Sequence, residues 1–306
     1  MTDRTETPAA LPSVAFIGLG NMGAPMSARL VRAGYSVTAF DLSPEARAAS
    51  AAAGAATAET AADAARGADL VVLMLPGSAV VEAVLADPAV SKALAPGSTV
   101  VDMSSSDPLS TRRLAAALGS RGVTLVDAPV SGGVKGAENG KLTIMVGGAE
   151  GDVERLSPLL ATMGTARRAG PVGAGHALKA INNLLSATHL LATAEGVLAG
   201  ERFGLDPAVM VELINSSSGR SGSTDNKFPN FVLPGTYDSG FGMKLMVKDM
   251  RIAVDLAHQL GVESPLADRA VALWERALDA LPGTADHTEI ARWAFDASTH
   301  REPVTG

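Results

Sequence analysis

From Val14 the chain alternates short apolar runs with longer amphipathic stretches. The run VAFIG, a glycine turn, the stretch APMSARLVRAG and a second run SVTAFD read as strand, turn, helix and strand. That order predicts a βαβ unit with a parallel strand pair. Comparable runs return at ADLVVLMLP, STVVDMS and VTLVDAPV, with alanine-rich helical segments between them. Strands separated by helices in this way predict a doubly wound sheet, and KLTIMVGG adds at least one further strand before the pattern stops. After Pro171 the period changes. AGHALKAINNLLSATHLLATAEGVLAGERFG, PAVMVELINSS, LMVKDMRIAVDLAHQLG and PLADRAVALWERALDAL all carry apolar residues at helical spacing, with Gly204 and Gly261 at the expected helix stops. The pattern divides the chain into a flexible tail over 1–12, an α/β domain over 13–171 and an all-α domain over 172–306. The first helix of the second domain far exceeds the usual length of about 10 to 14 residues, so it is expected to lie between domains or between subunits.

Composition agrees with two buried cores: the chain has 306 residues, 47% of them hydrophobic and 19% charged. A net charge of −7 supplies no basic footprint and argues against nucleic acid as the principal partner. The absence of cysteine excludes disulfides, thiolate metal sites and a cysteine nucleophile. The opening MTDRTETPAALPS is polar and reads as neither a secretory signal nor an anchor. No uninterrupted apolar stretch reaches the roughly 18 to 20 residues that span a bilayer. The expectation is a soluble cytoplasmic protein.

Candidate chemistry begins at FIGLGNMG. Gly18, Gly20 and Gly23 have the G-x-G-x-x-G spacing directly after a strand and before a helix. The first glycine permits a tight turn, the second lets a pyrophosphate approach the backbone, and the third allows close packing of helix on strand. Free N–H groups at the helix start then meet the phosphates. Asp41, at the end of the second strand, is placed to accept hydrogen bonds from the adenosine ribose hydroxyls. A carboxylate there repels a 2′-phosphate, and the next residues are Leu42 and Ser43 rather than an arginine, which favours NAD over NADP. Arg47 could fold back and reverse that preference. The alternative to a cofactor site is a glycine turn beside an acidic strand end with no ligand.

These residues, with VVDMSSSDP, VDAPVSGGVKGAENGKLTIMVGG, GHALKAINN and FGMKLMVKDMRIA, resemble the β-hydroxyacid dehydrogenase family, which includes 3-hydroxyisobutyrate dehydrogenase and tartronate semialdehyde reductase. The resemblance covers nearly all of the chain past residue 12. It implies a Rossmann domain like that of 6-phosphogluconate dehydrogenase followed by a helical domain, and oxidation of a β-hydroxyacid to its semialdehyde, or the reverse, without metal. A homodimer or homotetramer is also implied. Carried over by position, Lys179 is the catalytic lysine and Asn183 its helper. Ser131, Gly132 and Gly133 bind the substrate, while Ser105 and Lys248 lie near the cofactor. The turn residues Leu19, Asn21 and Met22, with Leu75 and Pro76 after the ADLVVLM strand, complete the expected cofactor contacts.

The residue types suit that chemistry. Removing hydride from an alcohol leaves a proton that a partly neutral lysine can take, and desolvation beside a cationic nicotinamide pushes a lysine that way. Asn183, one helical turn from Lys179, can hold a substrate hydroxyl or fix the amine; the competing reading is a lysine that snorkels to water. PVSGG offers a hydroxyl and unobstructed N–H groups to a carboxylate, or is a plain turn. Ser104 and Ser105 either border the nicotinamide ribose or cap the helix that starts near Pro108. Lys248 and Asp249 flank an apolar stripe of Met246, Met250, Ala253, Val254 and Ala257. Phe241 either lines the substrate pocket or packs in the core. Arg220 either pairs with a second anionic group of the substrate or bridges the domains. His189 reads as a hydrogen-bonded core histidine, and His287 and Glu289 as caps of the last helix.

The leading expectation is thus an NAD-dependent dehydrogenase of a small 3-hydroxy carboxylate. An imine reductase of the same architecture is the second reading; such relatives lack the lysine. A non-catalytic cofactor-binding or oligomerisation module is the third.

Overall fold

The computed structural model describes residues 11–299, so the expected tail over 1–12 falls almost wholly outside them. The chain divides into two compact units, one ending at Leu178 and one beginning at Lys179.

The first unit is built on a nine-stranded sheet. Strand β1 (Val14–Ile17) leads through α1 (Gly23–Arg32) to β2 (Val37–Phe40), and α2 (Pro44–Ala52) leads to β3 (Ala56–Thr57). Next come α3 (Ala61–Ala65), β4 (Leu70–Leu73), α4 (Ser78–Ala86), α5 (Pro88–Ala93), β5 (Thr99–Asp102), α6 (Pro108–Gly119) and β6 (Thr124–Asp127). These strands are parallel, in the order β3-β2-β1-β4-β5-β6. Every residue of β1 and of β5 is buried, as parallel strands covered on both faces require. The register pairs Ile17 with Phe40 and with Leu73, Leu73 with Asp102, and Asp102 with Asp127. Five strands therefore finish level, and the loops that follow them line one edge of the sheet. Strand order reverses between β1 and β4, the switch point at which open α/β sheets bind ligands.

Past β6 the sheet continues through β7 (Val130–Ser131), α7 (Gly133–Asn139), β8 (Leu142–Gly147), α8 (Glu150–Ala161) and β9 (Gly164–Gly170). Strand β8 is antiparallel to β6 and β7 and parallel to β9. The apolar pattern anticipates β8 and misses β3, β7 and β9. Two of these have only two residues, and β9, GTARRAG, is an edge strand with both arginines exposed.

Helix α9 (Ala174–Phe203) begins in the first unit and continues into the second. The second unit adds α10 (Pro207–Asn215), α11 (Met243–Gln259), α12 (Pro265–Ala280) and α13 (Ile290–Thr299), with a π-helical segment over Ser223–Val232 and a 3-10 turn over His287–Glu289. Its core gathers Leu190, Phe228, Met243, Met246, Met250, Trp274 and Ile290, all buried. The predicted stripe on α11 is buried as far as Val254, and Ala257 is only partly covered near the helix end. Between Gly242 and Asp286 there is one isolated bridge, and the described residues of this unit form no strand. No helix among the described residues is long and apolar enough to cross a membrane.

Candidate active site

The turn after β1 separates its three glycines by the space each has. Gly18 takes φ +100°, and a Cβ there would stand 2.2 Å from the Met74 carbonyl oxygen. At Gly23 a Cβ would stand 1.9 Å from the Gly18 carbonyl oxygen. Both are required by the fold. Gly20 differs: nothing lies within 4 Å of its would-be Cβ, and its φ is ordinary. Its missing side chain thus leaves an approach to the backbone open from outside. Met22 caps α1 without a side-chain hydrogen bond, and Pro25 removes a donor from the first turn.

Asp41, one residue past β2, accepts from the Leu19 amide at 2.7 Å and the Ser43 amide at 2.9 Å. Each oxygen takes one amide, and a carboxylate has lone pairs left for two ribose hydroxyls. Arg47 does fold back. It donates to the Asp41 carbonyl oxygen at 2.8 Å, while its other nitrogen pairs with Glu59 at 3.1 Å. Ser104 is fully buried, and its Oγ accepts the Leu75 amide at 2.9 Å. That bond fixes the loop of Leu75 and Pro76, and Asp107, not either serine, caps α6. Ser105 is partly exposed in the loop after β5. An open Gly20, an acidic strand end and level strand termini fit a dinucleotide.

Ser131 ends β7, partly exposed, and is followed by Gly132 at φ +128° and Gly133 at φ +63°. Both conformations call for glycine, so no side chain covers the backbone N–H groups of this turn. A network the sequence reading missed lies below. His176, at the start of α9, is fully buried, with Nδ1 2.8 Å from Thr111 Oγ1 and Nε2 3.0 Å from the Ser104 carbonyl oxygen. Asp127 accepts the Gly173 amide at 2.6 Å and the His176 amide at 2.9 Å, and burial raises its pKa despite His176 and these amides. The network pins the start of α9 to the ends of β5 and β6.

In the second unit Lys179 is 7% exposed and makes no hydrogen bond among the described residues. Desolvation by burial lowers its pKa; Asp249 opposes the shift and Lys248 adds to it. The snorkelling alternative is therefore excluded. Asn183, one turn on and also buried, donates Nδ2 to Asp249 Oδ2 at 2.7 Å, and Asp249 Oδ1 pairs with Lys248 Nζ at 3.2 Å. Amine, amide, carboxylate and second amine thus form one cluster on α9 and α11.

Lys227, in the π-helical segment, donates to Ser186 Oγ at 2.6 Å, and desolvation lowers its pKa to about 8, with Asp286 opposing and Lys179 adding. Its stretch, STDNKFP, has no helical stripe that would turn Lys227 inward, so periodicity gives no signal for it. Phe241 packs partly against the helical core and meets the His287 ring edge-on, 5.6 Å between centroids. Asp286, rather than His287, begins the 3-10 turn, and Glu289 completes its capping box. His287 is buried with a lowered pKa, from desolvation first, against the Asp286 hydrogen bond. Arg220 pairs with Asp225 at 3.0 Å, with both side chains exposed. His189 is exposed, not a core residue, because it falls on the same face of α9 as exposed Ile181 and Leu185.

A doubly wound sheet with an open glycine turn, continued by a helical unit that buries a lysine, defines the class of two-unit dinucleotide-dependent proteins. Residues 13–173 match the family model described as the NAD binding domain of 6-phosphogluconate dehydrogenase. Residues 173–294 match that described as NAD-binding of NADP-dependent 3-hydroxyisobutyrate dehydrogenase. The chain is 40% identical over 264 residues to 2-(hydroxymethyl)glutarate dehydrogenase of Eubacterium barkeri, covering 86% of this chain and 88% of that one. It is 38% identical to 3-hydroxyisobutyrate dehydrogenase of Pseudomonas aeruginosa, covering 84% and 89%. A solved structure of Mycobacterium tuberculosis 3-hydroxyisobutyrate dehydrogenase with L-serine superposes with a TM-score of 0.87 at 34% identity, covering 92% and 99%. The chain belongs to the β-hydroxyacid dehydrogenase family.

Proposed function

We propose that this chain oxidises a small 3-hydroxy carboxylate to its semialdehyde, or runs the reverse reduction, with NAD preferred over NADP. The observation that carries the reading is the buried, desolvated amine of Lys179. The substrates named for the relatives, 2-(hydroxymethyl)glutarate and 3-hydroxyisobutyrate, share a primary alcohol one carbon from the carbon that bears a carboxylate.

Gly18, Leu19, Gly20, Asn21, Met22, Gly23, Asp41, Leu75, Pro76, Ser105 and Lys248 would hold the dinucleotide, with Ser104 supporting Leu75. When bound, the nicotinamide supplies the two-electron chemistry by taking hydride from the carbinol carbon. Ser131, Gly132 and Gly133 grip the substrate carboxylate through a hydroxyl and backbone N–H groups. Lys179, whose neutral form is favoured by burial, accepts the hydroxyl proton on Nζ; in reduction its ammonium donates that proton to the carbonyl oxygen. Asn183 is fixed by Asp249 and keeps a second amide N–H for the substrate oxygen. Phe241 packs on the carbon skeleton. The coenzyme preference rests on Asp41, whose charge repels a 2′-phosphate, and on Arg47, whose guanidinium is already engaged by Glu59 and the Asp41 carbonyl. A cytoplasmic homodimer or homotetramer completes the reading.

The test is steady-state turnover of 3-hydroxyisobutyrate, L-serine, D-glycerate and 3-hydroxypropionate with NAD, repeated on Lys179→Met. Removing a general base costs about 10²- to 10⁴-fold. Full turnover by Lys179→Met on the best substrate would overturn the assignment.

A further inference from the structure

The proposed reaction leaves Lys227 without a task. Among the described residues its nitrogen forms no ion pair, and its one hydrogen bond goes to Ser186 Oγ. Lys227 is partly buried, and an ammonium that is partly desolvated gains from a compensating charge. Asp286 compensates only in part, at a distance and without an ion pair. Asp286 spends its oxygens on the amides of Gly240, Phe241 and Thr288 and on the hydroxyls of Ser239 and Thr288. Lys179 is close enough for its charge to disfavour the Lys227 ammonium further. Ser186 follows Lys179 and Asn183 at helical spacing on α9, so Lys227 is tied to the face that carries the proton-transferring amine.

A second polar group whose charge state Lys227 influences has an unpaired atom. His287 Nδ1 lies 3.1 Å from the Phe241 carbonyl oxygen, which can only accept, so Nδ1 carries the proton. Nε2 is left as a bare lone pair, buried and without a hydrogen-bond partner. The charge of Lys227 is among the causes that keep this ring neutral. An anion seated on the Lys227 ammonium relieves that repulsion and favours the imidazolium, which turns Nε2 into a donor. Only in that protonated form does His287 offer a donor to the same anion as Lys227.

We propose that Lys227 is a specificity-determining residue that receives a second carboxylate of the substrate, so that the preferred alcohols are 3-hydroxy acids with an additional, distal carboxylate. This rests on Lys179 being the proton-transferring amine. A lysine suits the task because its compact charge meets a carboxylate that arrives from a range of directions.

The experiment compares 2-(hydroxymethyl)glutarate with its monocarboxylate analogue 2-(hydroxymethyl)pentanoate, in which a methyl replaces the distal carboxylate, using the full chain and NAD, in wild type, Lys227→Met and Lys227→Arg. A charge-assisted contact predicts a wild-type preference in kcat/KM of about 10- to 100-fold for the dicarboxylate. Lys227→Met should bring the ratio close to one, mainly through KM, and Lys227→Arg should keep part of it. Calorimetry with glutarate and butyrate, also in the presence of NAD, reads the same subsite without turnover; Lys227→Met should weaken glutarate about tenfold and so narrow its lead over butyrate. Ratios within twofold of wild type in Lys227→Met, or glutarate binding unaffected by it, overturn the proposal. If both alcohols turn over with no preference, the subsite is wrong and the dehydrogenase reading stands. If neither turns over while glutarate binding still depends on Lys227, the subsite stands and the dehydrogenase reading falls.

Discussion

Three single substitutions separate what the glycine turn does for folding from what it does for binding. Gly18→Ala forces an L-residue into φ +100° and drives a methyl to 2.2 Å from the Met74 carbonyl. The backbone cost of about 1–2 kcal/mol and an overpacking cost of about 1–3 kcal/mol add to roughly 2–5 kcal/mol of lost stability. Gly23→Ala gains up to about 1 kcal/mol of helix propensity but meets the Gly18 carbonyl at 1.9 Å, an overpacking cost of about 1–3 kcal/mol, so it loses up to about 3 kcal/mol on balance. Gly20→Ala meets nothing within 4 Å and has no positive φ to maintain. Its stability should hold or rise by about 0.4–1 kcal/mol. If the pyrophosphate approaches Gly20 as proposed, the added methyl stands in its path and NAD affinity should fall at least about tenfold, a cost of about 1.4 kcal/mol. Urea unfolding midpoints and NAD calorimetry on the three variants check this. A Gly20→Ala protein that is stable and binds NAD within twofold of wild type would refute the placement of the phosphates.

Asp249→Asn removes the negative charge that holds the Lys179 pKa up, so the neutral amine persists to lower pH. The acidic limb of the kcat/KM profile for oxidation should therefore move to lower pH, and a shift to higher pH would contradict the cluster described. Asp41→Ser should raise the use of NADP relative to NAD by about tenfold or more, read as a ratio of kcat/KM values. Asp286 is held well below the usual carboxylate range: burial would raise its pKa, but hydrogen bonds from His287 and Thr288 outweigh it. Its folded pKa lies below the unfolded value of about 3.9, so the stabilisation is complete above that pH and is lost as the pH falls toward the folded pKa. Asp286→Asn should flatten the acid side of a plot of unfolding free energy against pH and lower stability at pH 7.

Most of the first unit was legible because buried parallel strands write continuous apolar runs, as VAFIG and STVVDMS do, and because a glycine turn between strand and helix leaves few alternatives. Strand β9 was not legible, since an edge strand can be solvent-exposed and charged along its length. In the second unit the stripes of α9 to α12 were readable. The π-helical segment was not: its wider turn breaks the helical period that pattern reading looks for, and Pro229 inside it reads as a breaker. The candidate site divided in the same way. Lys179 and Asn183 stand out as polar residues in an apolar helix, one turn apart. Lys227 and His176 are turned inward by partners distant in sequence, Ser186 for the one and Thr111 and Ser104 for the other, which no local spacing records.

Placing Lys179, Asn183 and Ser186 on one rigid rod gives the molecule a ruler. At 1.5 Å per residue, the seven steps from Lys179 to Ser186 span about 10 Å along the axis, and no loop lies between them to stretch or shorten it. Inserting a single residue would swing everything downstream by about 100° and take the far mark off the scale. In the proposed site, substrate length would then be tuned by the side chain that reaches the rod, at position 227, while the gauge itself resists drift.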